Sequence, residues 1–236
     1  MPVEEVILVP EVVPAIDAAA VILNYVTAYQ LLCRCASLVA GDTVLIHGAS
    51  GGVGTALLDL GRLFELRMFG TASSRKHAAL ECYGVRLIDY HKEDFVEHMR
   101  EHVPKGVKAV FDPIGYENWG RSLQVLGPDG VLVGYGFTSI LQASEAESHK
   151  YVEGWKALDG SVESGAVQRK AVTYSITGGK QQDPEAFRTD LEAVFQLLAD
   201  GQIHPQIARC FSLEDIEQAH VYLHSHDSVG KIILTF

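Results

Sequence analysis

The sequence predicts an α/β protein built on a doubly wound parallel sheet. Three observations carry this. From residue 43 onward, short apolar runs alternate with amphipathic segments over short links. The apolar runs are continuous rather than alternating, as strands covered on both faces require. A glycine cluster joins the first run to the first amphipathic segment. Right-handed crossovers then leave the doubly wound arrangement as the leading topology.

The elements follow in order. TVLIH (43–47) is the first strand, GASGGVG (48–54) the loop and TALLDLGRLFEL (55–66) the first helix, with apolar residues at helical spacing. RMFGTA (67–72) is the second strand. SRKHAALECYG (74–84) is a short helix closed by Gly84, and VRLIDY (85–90) a third strand. A helix at 93–103 precedes the strand KAVFDPIG (108–115). A helix near 117–126 leads to GVLVGYG (130–136), and KAVTYSI (170–176) supplies a sixth strand. Residues 1–39 form a proline-punctuated lead and a long helix over about 16–38. Residues 40–178 form the dinucleotide-type domain, and residues 137–169 within it are a polar, irregular excursion. Residues 179–236 form an appendage: a helix at 185–200, a strand at 203–211, a helix at 212–224 and a last strand, KIILTF.

Composition narrows the function. The 236 residues are 47% hydrophobic, 21% charged and 8% aromatic, which is ordinary for a globular chain. A net charge of -11 with no Lys/Arg-rich block argues against nucleic acid or an anionic membrane as partner. The four cysteines form no CxxC pair, so no zinc knuckle or thioredoxin-type site is expected; they read as free thiols packed as small hydrophobes in a reducing compartment. The N-terminus lacks a basic region, and the most apolar stretch, 18–33, is interrupted by Asn24, Thr27 and Gln30 and is short for a membrane span. A cytoplasmic protein with a small-molecule substrate is the expectation.

The glycine loop carries the most chemistry. Against G-x-G-x-x-G it reads Ala49-x-Gly51-x-x-Gly54. Gly51 lets a diphosphate approach the backbone, Gly54 lets the helix pack on the strand, and the amides from Gly52 and Val53 face negative charge. The same residues satisfy G-x-S-x-G through Gly48, Ser50 and Gly52, the nucleophile elbow of an α/β hydrolase, with Asp112 and His220 following in the required order. No HGGG-like oxyanion loop precedes it.

The nucleotide is legible some twenty residues later. An NAD-binding unit places a carboxylate there to bond the ribose 2′-hydroxyl. This chain has Ser73, Ser74, Arg75 and Lys76. Two hydroxyls and two cations suit a 2′-phosphate, so NADPH is the expected cofactor. A helix start capped by Ser74 is the competing explanation of the same residues.

At this point the residues resemble a family. NYVTAYQLL (24–32), AGDTVLIHGASGGVGTALLDLGR (40–62), GTASSRKH (70–77), IDY (88–90) and FDPIG (111–115) are similar to the zinc-independent quinone oxidoreductases of the medium-chain dehydrogenase/reductase superfamily. TYSIT (173–177), LLADGQIHPQIA (197–208) and GKIILT (230–235) extend the resemblance. It implies NADPH-dependent hydride transfer to quinones, enones or similar carbonyl compounds, with no metal. It places Thr27 near the nicotinamide, Ser50 to Gly54 at the diphosphate, and Ser73 and Lys76 at the 2′-phosphate. Tyr90 would border the adenosine; Asp112, Pro113, Ile114 and Gly115, with Gly136 and Phe137, would line the nicotinamide and its ribose. It also implies a homodimer through the Rossmann sheet edge, with GVLVGYG and VTYSI as candidate edge strands. Family members begin with a GroES-like domain, and Met1 stands close to where that domain ends, so a truncated chain that binds NADPH with little catalysis is the alternative. No catalytic acid is identified; Tyr135 and Tyr174 are available hydroxyls that read more simply as sheet residues. His98 and His102, four apart, read as a solvated helix face, and Trp119 as packing.

Overall fold

The computed structural model describes residues 6–136 and 170–236. Six parallel strands form one sheet: β1 (Thr43–Ile46), β2 (Arg67–Thr71), β3 (Arg86–Ile88), β4 (Val107–Asp112), β5 (Leu126–Tyr135) and β6 (Lys170–Tyr174), in the spatial order β3-β2-β1-β4-β5-β6. That order reverses between β1 and β4, which opens a crevice at the carboxyl ends of the strands. The doubly wound Rossmann sheet expected from the apolar runs is thus present. Val44, Leu45, Ile46, Val110, Phe111, Leu132 and Val133 are all fully buried, because helices cover both faces.

The helices sort by their burial. α1 (Ala15–Gln30) and α2 (Gly52–Leu63) pack on one face; on the other, α3 (Phe95–His102) and α4 (Tyr116–Ser122) enclose Leu45, Phe69, Ile88 and Leu132. α5 (Ile176–Gln182) follows β6, and α6 (Pro184–Ala199) packs along α1 through Leu191, Val194 and Phe195. The chain ends in β7 (Ile207–Ser212), α7 (Ile216–His224) and β8 (Lys231–Thr235), where β7 and β8 pair in parallel as a separate two-stranded sheet.

Several boundaries differ from expectation for local reasons. The segment 74–84 is not an α-helix but two 3₁₀ turns, Ser74–Ala79 and Glu81–Tyr83. It offers only Leu80 and Tyr83 to the core, too narrow a stripe to support α-helical turns, and its bonds close at i→i+3 (Lys76 N to Ser73 O, Leu80 N to His77 O). Gly84 does end it in the left-handed region, at φ 69°. The first helix stops its α-helical turns at Gln30 and continues as a π-turn, Leu31–Cys35, giving a helix of 21 residues in all. By length and composition alone it could cross a membrane, yet most of it is buried against α2 and α6. The β5 strand is longer than GVLVGYG and lies between β4 and β6, so among the described residues only β6 is an edge on that side. The strand expected at 203–211 begins at Ile207, and the helix expected from 212 begins at Ile216 after a 3₁₀ turn.

The cysteines are not core residues. All four are free; Cys33, Cys82 and Cys210 are exposed, and Cys35 alone is half-buried, against the edge of the core. The His98 and His102 rings stack at 4.2 Å and lie edge-on to Phe69, with His102 exposed and His98 half-buried, so the face stays open to solvent on its His102 side.

Candidate functional site

The glycine loop turns between β1 and α2 under tight steric limits. Gly48 adopts φ 62°, and its carbonyl accepts the Gly51 amide at 2.9 Å. A Cβ on Gly54 would lie 2.3 Å from that same carbonyl, so α2 can approach β1 this closely only with glycine there. A Cβ on Gly52 would meet the Asn24 amide at 2.4 Å. α3 and α6 have their first amides capped by Asp94 and Asp183, whereas α2 begins after Gly51 with no side-chain cap. Its first amides, from Gly52 and Val53, are left to whatever enters the crevice.

The neighbouring polar groups come from β2 and from the distant C-terminal turn. Ser73, just past β2, is buried, and its Oγ has no hydrogen-bond partner. A buried, unpaired hydroxyl costs on the order of 1–3 kcal/mol, so its presence points to a ligand that completes it. Lys76 Nζ donates to Ser50 Oγ at 3.3 Å and to the Ser228 carbonyl at 3.0 Å. Burial, and then the neighbouring Arg75, push its pKa down, a penalty that an arriving anion would offset. Arg75 pairs with Asp227 at 2.6 Å and donates to the His226 carbonyl at 3.1 Å. Ser74 is exposed and turns away from Ser73: its hydroxyl, followed by the His91 amide and Lys92, holds Asp89 below the usual carboxylate range.

A second polar cluster lies beneath the strand ends and is closed. Asp112 is fully buried at the end of β4. One of its oxygens accepts the Ile114 and Gly115 amides, at 2.8 and 3.3 Å. The other accepts Ser122 Oγ at 2.7 Å and Asn118 Nδ2 at 2.8 Å. Because Ser122 donates to the carboxylate, it accepts from His47 Nε2, 3.2 Å away; His47 Nδ1 then accepts from Thr71 Oγ1 at 3.1 Å, and Thr71 accepts from the Gly48 amide. Burial pushes the His47 pKa down, with Asp112 opposing.

The sequence-predicted residues therefore separate into four groups. Ser50, Gly51, Gly52, Val53, Gly54, Ser73 and Lys76 come together at the glycine loop. Pro113 and Ile114 follow β4, and Pro113 sits between the Gly48 and Gly136 backbones, 3.6 and 3.7 Å from where their Cβ atoms would be. Asp112 supports that turn from below and has no surface to offer a ligand. Tyr90, two residues past β3, is 56% exposed, its ring tilted by 43° against His91 at 4.3 Å. Thr27 is buried on α1 and hydrogen-bonds Tyr174, whose hydroxyl donates to Gln30 Oε1 at 2.5 Å; Gln30 in turn donates to Asp190. Phe137 lies outside the described residues. Sequence reasoning missed Asn24 against Gly52, the His47–Ser122 relay and the tail turn 226–230. Asn24 alone left a signal, as an amide three residues before Thr27 on an apolar helix.

The hydrolase reading gains nothing from this geometry. Ser50 Oγ neighbours Lys76, not a histidine, and Ser50 is not among the left-handed residues, whereas an elbow nucleophile sits on a strained turn. Asp112 is fully engaged elsewhere. Among the described residues no group of three or more His, Cys, Asp or Glu could hold a metal ion.

The comparisons with known proteins agree with the fold. The zinc-binding dehydrogenase family matches residues 83–234. The synaptic vesicle membrane protein VAT-1 homolog of Homo sapiens is 32% identical over 237 residues, 99% of this chain and 60% of that protein. A 2-haloacrylate reductase of a Burkholderia species is 30% identical over 240 residues, 99% of this chain and 68% of that protein. The Escherichia coli quinone oxidoreductase, solved in complex with NADPH, shares the fold at a TM-score of 0.80 with 24% identity, over 99% of this chain and 69% of that one. The chain thus spans about three-fifths to two-thirds of the length of these relatives. With the Rossmann sheet and its glycine loop in place, the chain belongs to the zinc-binding dehydrogenase family of the medium-chain dehydrogenase/reductase superfamily.

Proposed function

We propose that this chain binds NADPH and presents it for hydride transfer to a quinone, an enone or a similar activated carbonyl compound. The observation that carries the cofactor is Ser73: a buried hydroxyl with no partner, beside Lys76, at the place where an NAD-binding unit has its carboxylate. The residues fit the group. The uncapped first amides of α2, at the end of a glycine loop that carries no bulky side chain, suit a diphosphate. Ser73 and Lys76 would hold the 2′-phosphate, Tyr90 would border the adenosine, and Pro113, Ile114 and Gly136 would line the nicotinamide side. The cofactor supplies the hydride when bound. The chain's own part is to orient it: the closed cluster from Thr71 to Asp112 fixes the Gly48 and Ile114 backbones on either side of the crevice. That a relative is a reductase, of 2-haloacrylate, supports the reaction class.

A second reading, binding with little turnover, is favoured by the proton side. Burial raises the hydroxyl pKa of both Tyr135 and Tyr174, and Tyr174 already donates to Gln30, so neither is a ready acid. In either reading the chain is taken as cytoplasmic and homodimeric, joined along β6.

Calorimetric titration of the 236-residue chain with NADPH and NADH tests both readings. The expected result is NADPH binding at least about tenfold tighter than NADH, since a paired phosphate contributes well over 1 kcal/mol. Light scattering on the same sample should give twice 25.7 kDa. Loss of reduced-nicotinamide absorbance on adding a quinone selects the first reading, and its absence the second. No preference between the nucleotides would refute the assignment of Ser73 and Lys76.

A further inference from the structure

The C-terminal turn is not a bystander at the phosphate end of the crevice. It is clamped there by backbone. The Gly230 amide donates to the Ser50 carbonyl at 3.0 Å, and the Lys231 amide to the Gln206 carbonyl at 2.8 Å. Gly230 has φ 89°, and a Cβ on it would lie 2.0 Å from the Gln206 carbonyl, so the chain passes this point only as glycine. The turn above it holds His226 in the left-handed region at φ 57°, with the Asp227 amide bonded to Ser225 Oγ at 3.2 Å. That conformation aims the Asp227 carboxylate at Arg75, 2.6 Å away, while the Ser228 carbonyl takes Lys76.

We propose that Asp227 sets the strength of nucleotide discrimination, as a carboxylate built into the 2′-phosphate subsite that competes with the phosphate for Arg75. The inference rests on the NADPH reading above and deepens it. Three charges meet at this spot: Arg75, Lys76 and Asp227. Two cations and one carboxylate leave a single net positive charge opposite a group that carries nearly two negative ones. The Arg75–Asp227 pair is cheap to open, because both side chains are more than half exposed, 58% and 52%, and exposed pairs hold weakly. A phosphate outbids it for the guanidinium, since the dianion forms stronger charge-assisted bonds. The carboxylate stays nearby after the exchange, because Gly230 and Ser50 hold its turn in place. It then repels the phosphate it has yielded to. NADH lacks the phosphate and feels neither effect. The arrangement keeps Arg75 ordered between binding events and holds NADPH affinity below what the two cations alone would give.

The test is Asp227→Asn in the full chain, with Asp227→Glu as the charge-preserving control, each titrated calorimetrically with NADPH and NADH. Asp227→Asn should bind NADPH about 3- to 10-fold more tightly at low salt, the size expected for removing one unit charge beside a dianion in a water-like dielectric. NADH affinity should stay within about twofold, Asp227→Glu should match the parent, and the gain should shrink at about 0.5 M salt as the charges are screened. Asp227 is exposed, and thermal melting of each variant confirms the fold is intact. If the parent prefers NADPH and Asp227→Asn binds it equally or more weakly, the carboxylate positions Arg75 rather than competing for it, and the inference is overturned alone. If neither chain binds NADPH in preference to NADH, the underlying reading falls, and the inference with it.

Discussion

Two polar clusters flank the same crevice, and they are built in opposite ways. The one under the strand ends is saturated: both oxygens of Asp112 are occupied by donors, and the relay through Ser122, His47 and Thr71 ends on the Gly48 amide. The one at the head of α2 is unfinished: Ser73 Oγ is buried without a partner, α2 has no side-chain cap, and two cations lean on the C-terminal turn. Both carry buried polar atoms, whose desolvation has to be compensated. The saturated cluster compensates it internally and so acts as structure. The unfinished one leaves compensation open and so is the candidate site. Burial alone does not separate the two; the state of the hydrogen bonds does.

The largest test of this contrast is Asp112→Ala. It would strand the Ser122 hydroxyl, the Asn118 amide and the Ile114 and Gly115 amides at once. Each stranded buried donor costs about 1–3 kcal/mol, and partial relaxation brings the sum to on the order of 3–5 kcal/mol. That is a large share of a typical domain's stability of about 5–15 kcal/mol. Urea denaturation should show the midpoint fall steeply or the chain fail to fold. A loss below about 1 kcal/mol would mean that the cluster is not the brace described here.

Much of the unfinished cluster was legible in the sequence, and almost none of the saturated one. Glycines between a strand and a helix have few uses, so Gly51, Gly52 and Gly54 announced the loop, and the absence of a carboxylate near Ser73 is the local signal behind the proposed phosphate. His47, Ser122 and Asp112 lie on separate elements, and their meeting depends on β1 pairing with β4 in a register that sets Ile46 beside Phe111. No local pattern encodes such a meeting. The tail turn is hidden for the same reason: Lys76 and Ser228 are 152 residues apart. Ser74 misled because a hydroxyl before a short helix and a hydroxyl bonded to Asp89 look alike until β3 is placed.

The next test acts through pH. His47 is buried and neutral, with a pKa depressed from 6.5 chiefly by burial. In the native chain its Nδ1 must accept from Thr71, so protonation would take away that acceptor. The unfolded chain then binds a proton more readily, and stability is fully present above about pH 6.5 and declines as pH falls through the depressed value. Within that window the loss is up to about 1.4 kcal/mol per pH unit. Thermal melts of the parent between about pH 7 and 5 should show this slope. His47→Gln should be less stable at neutral pH yet show a shallower decline. Equal slopes would place the acid sensitivity elsewhere.

The smallest effect on the fold is the most telling one for the site. Ser73→Ala removes a buried hydroxyl that bonds nothing in the free chain. Its melting temperature should therefore hold or rise slightly, by up to about 1 kcal/mol in stability, because an unpaired polar group leaves the interior. NADPH affinity should nonetheless drop by about 10- to 150-fold, the range for one hydrogen bond to a charged group. NADH affinity should stay within about twofold. A structural serine would give the reverse result: a weaker fold and equal changes for both nucleotides. Stability and affinity moving in opposite directions on deletion of one oxygen is the signature that separates an unfinished cluster from a saturated one, since Asp112→Ala lowers both together.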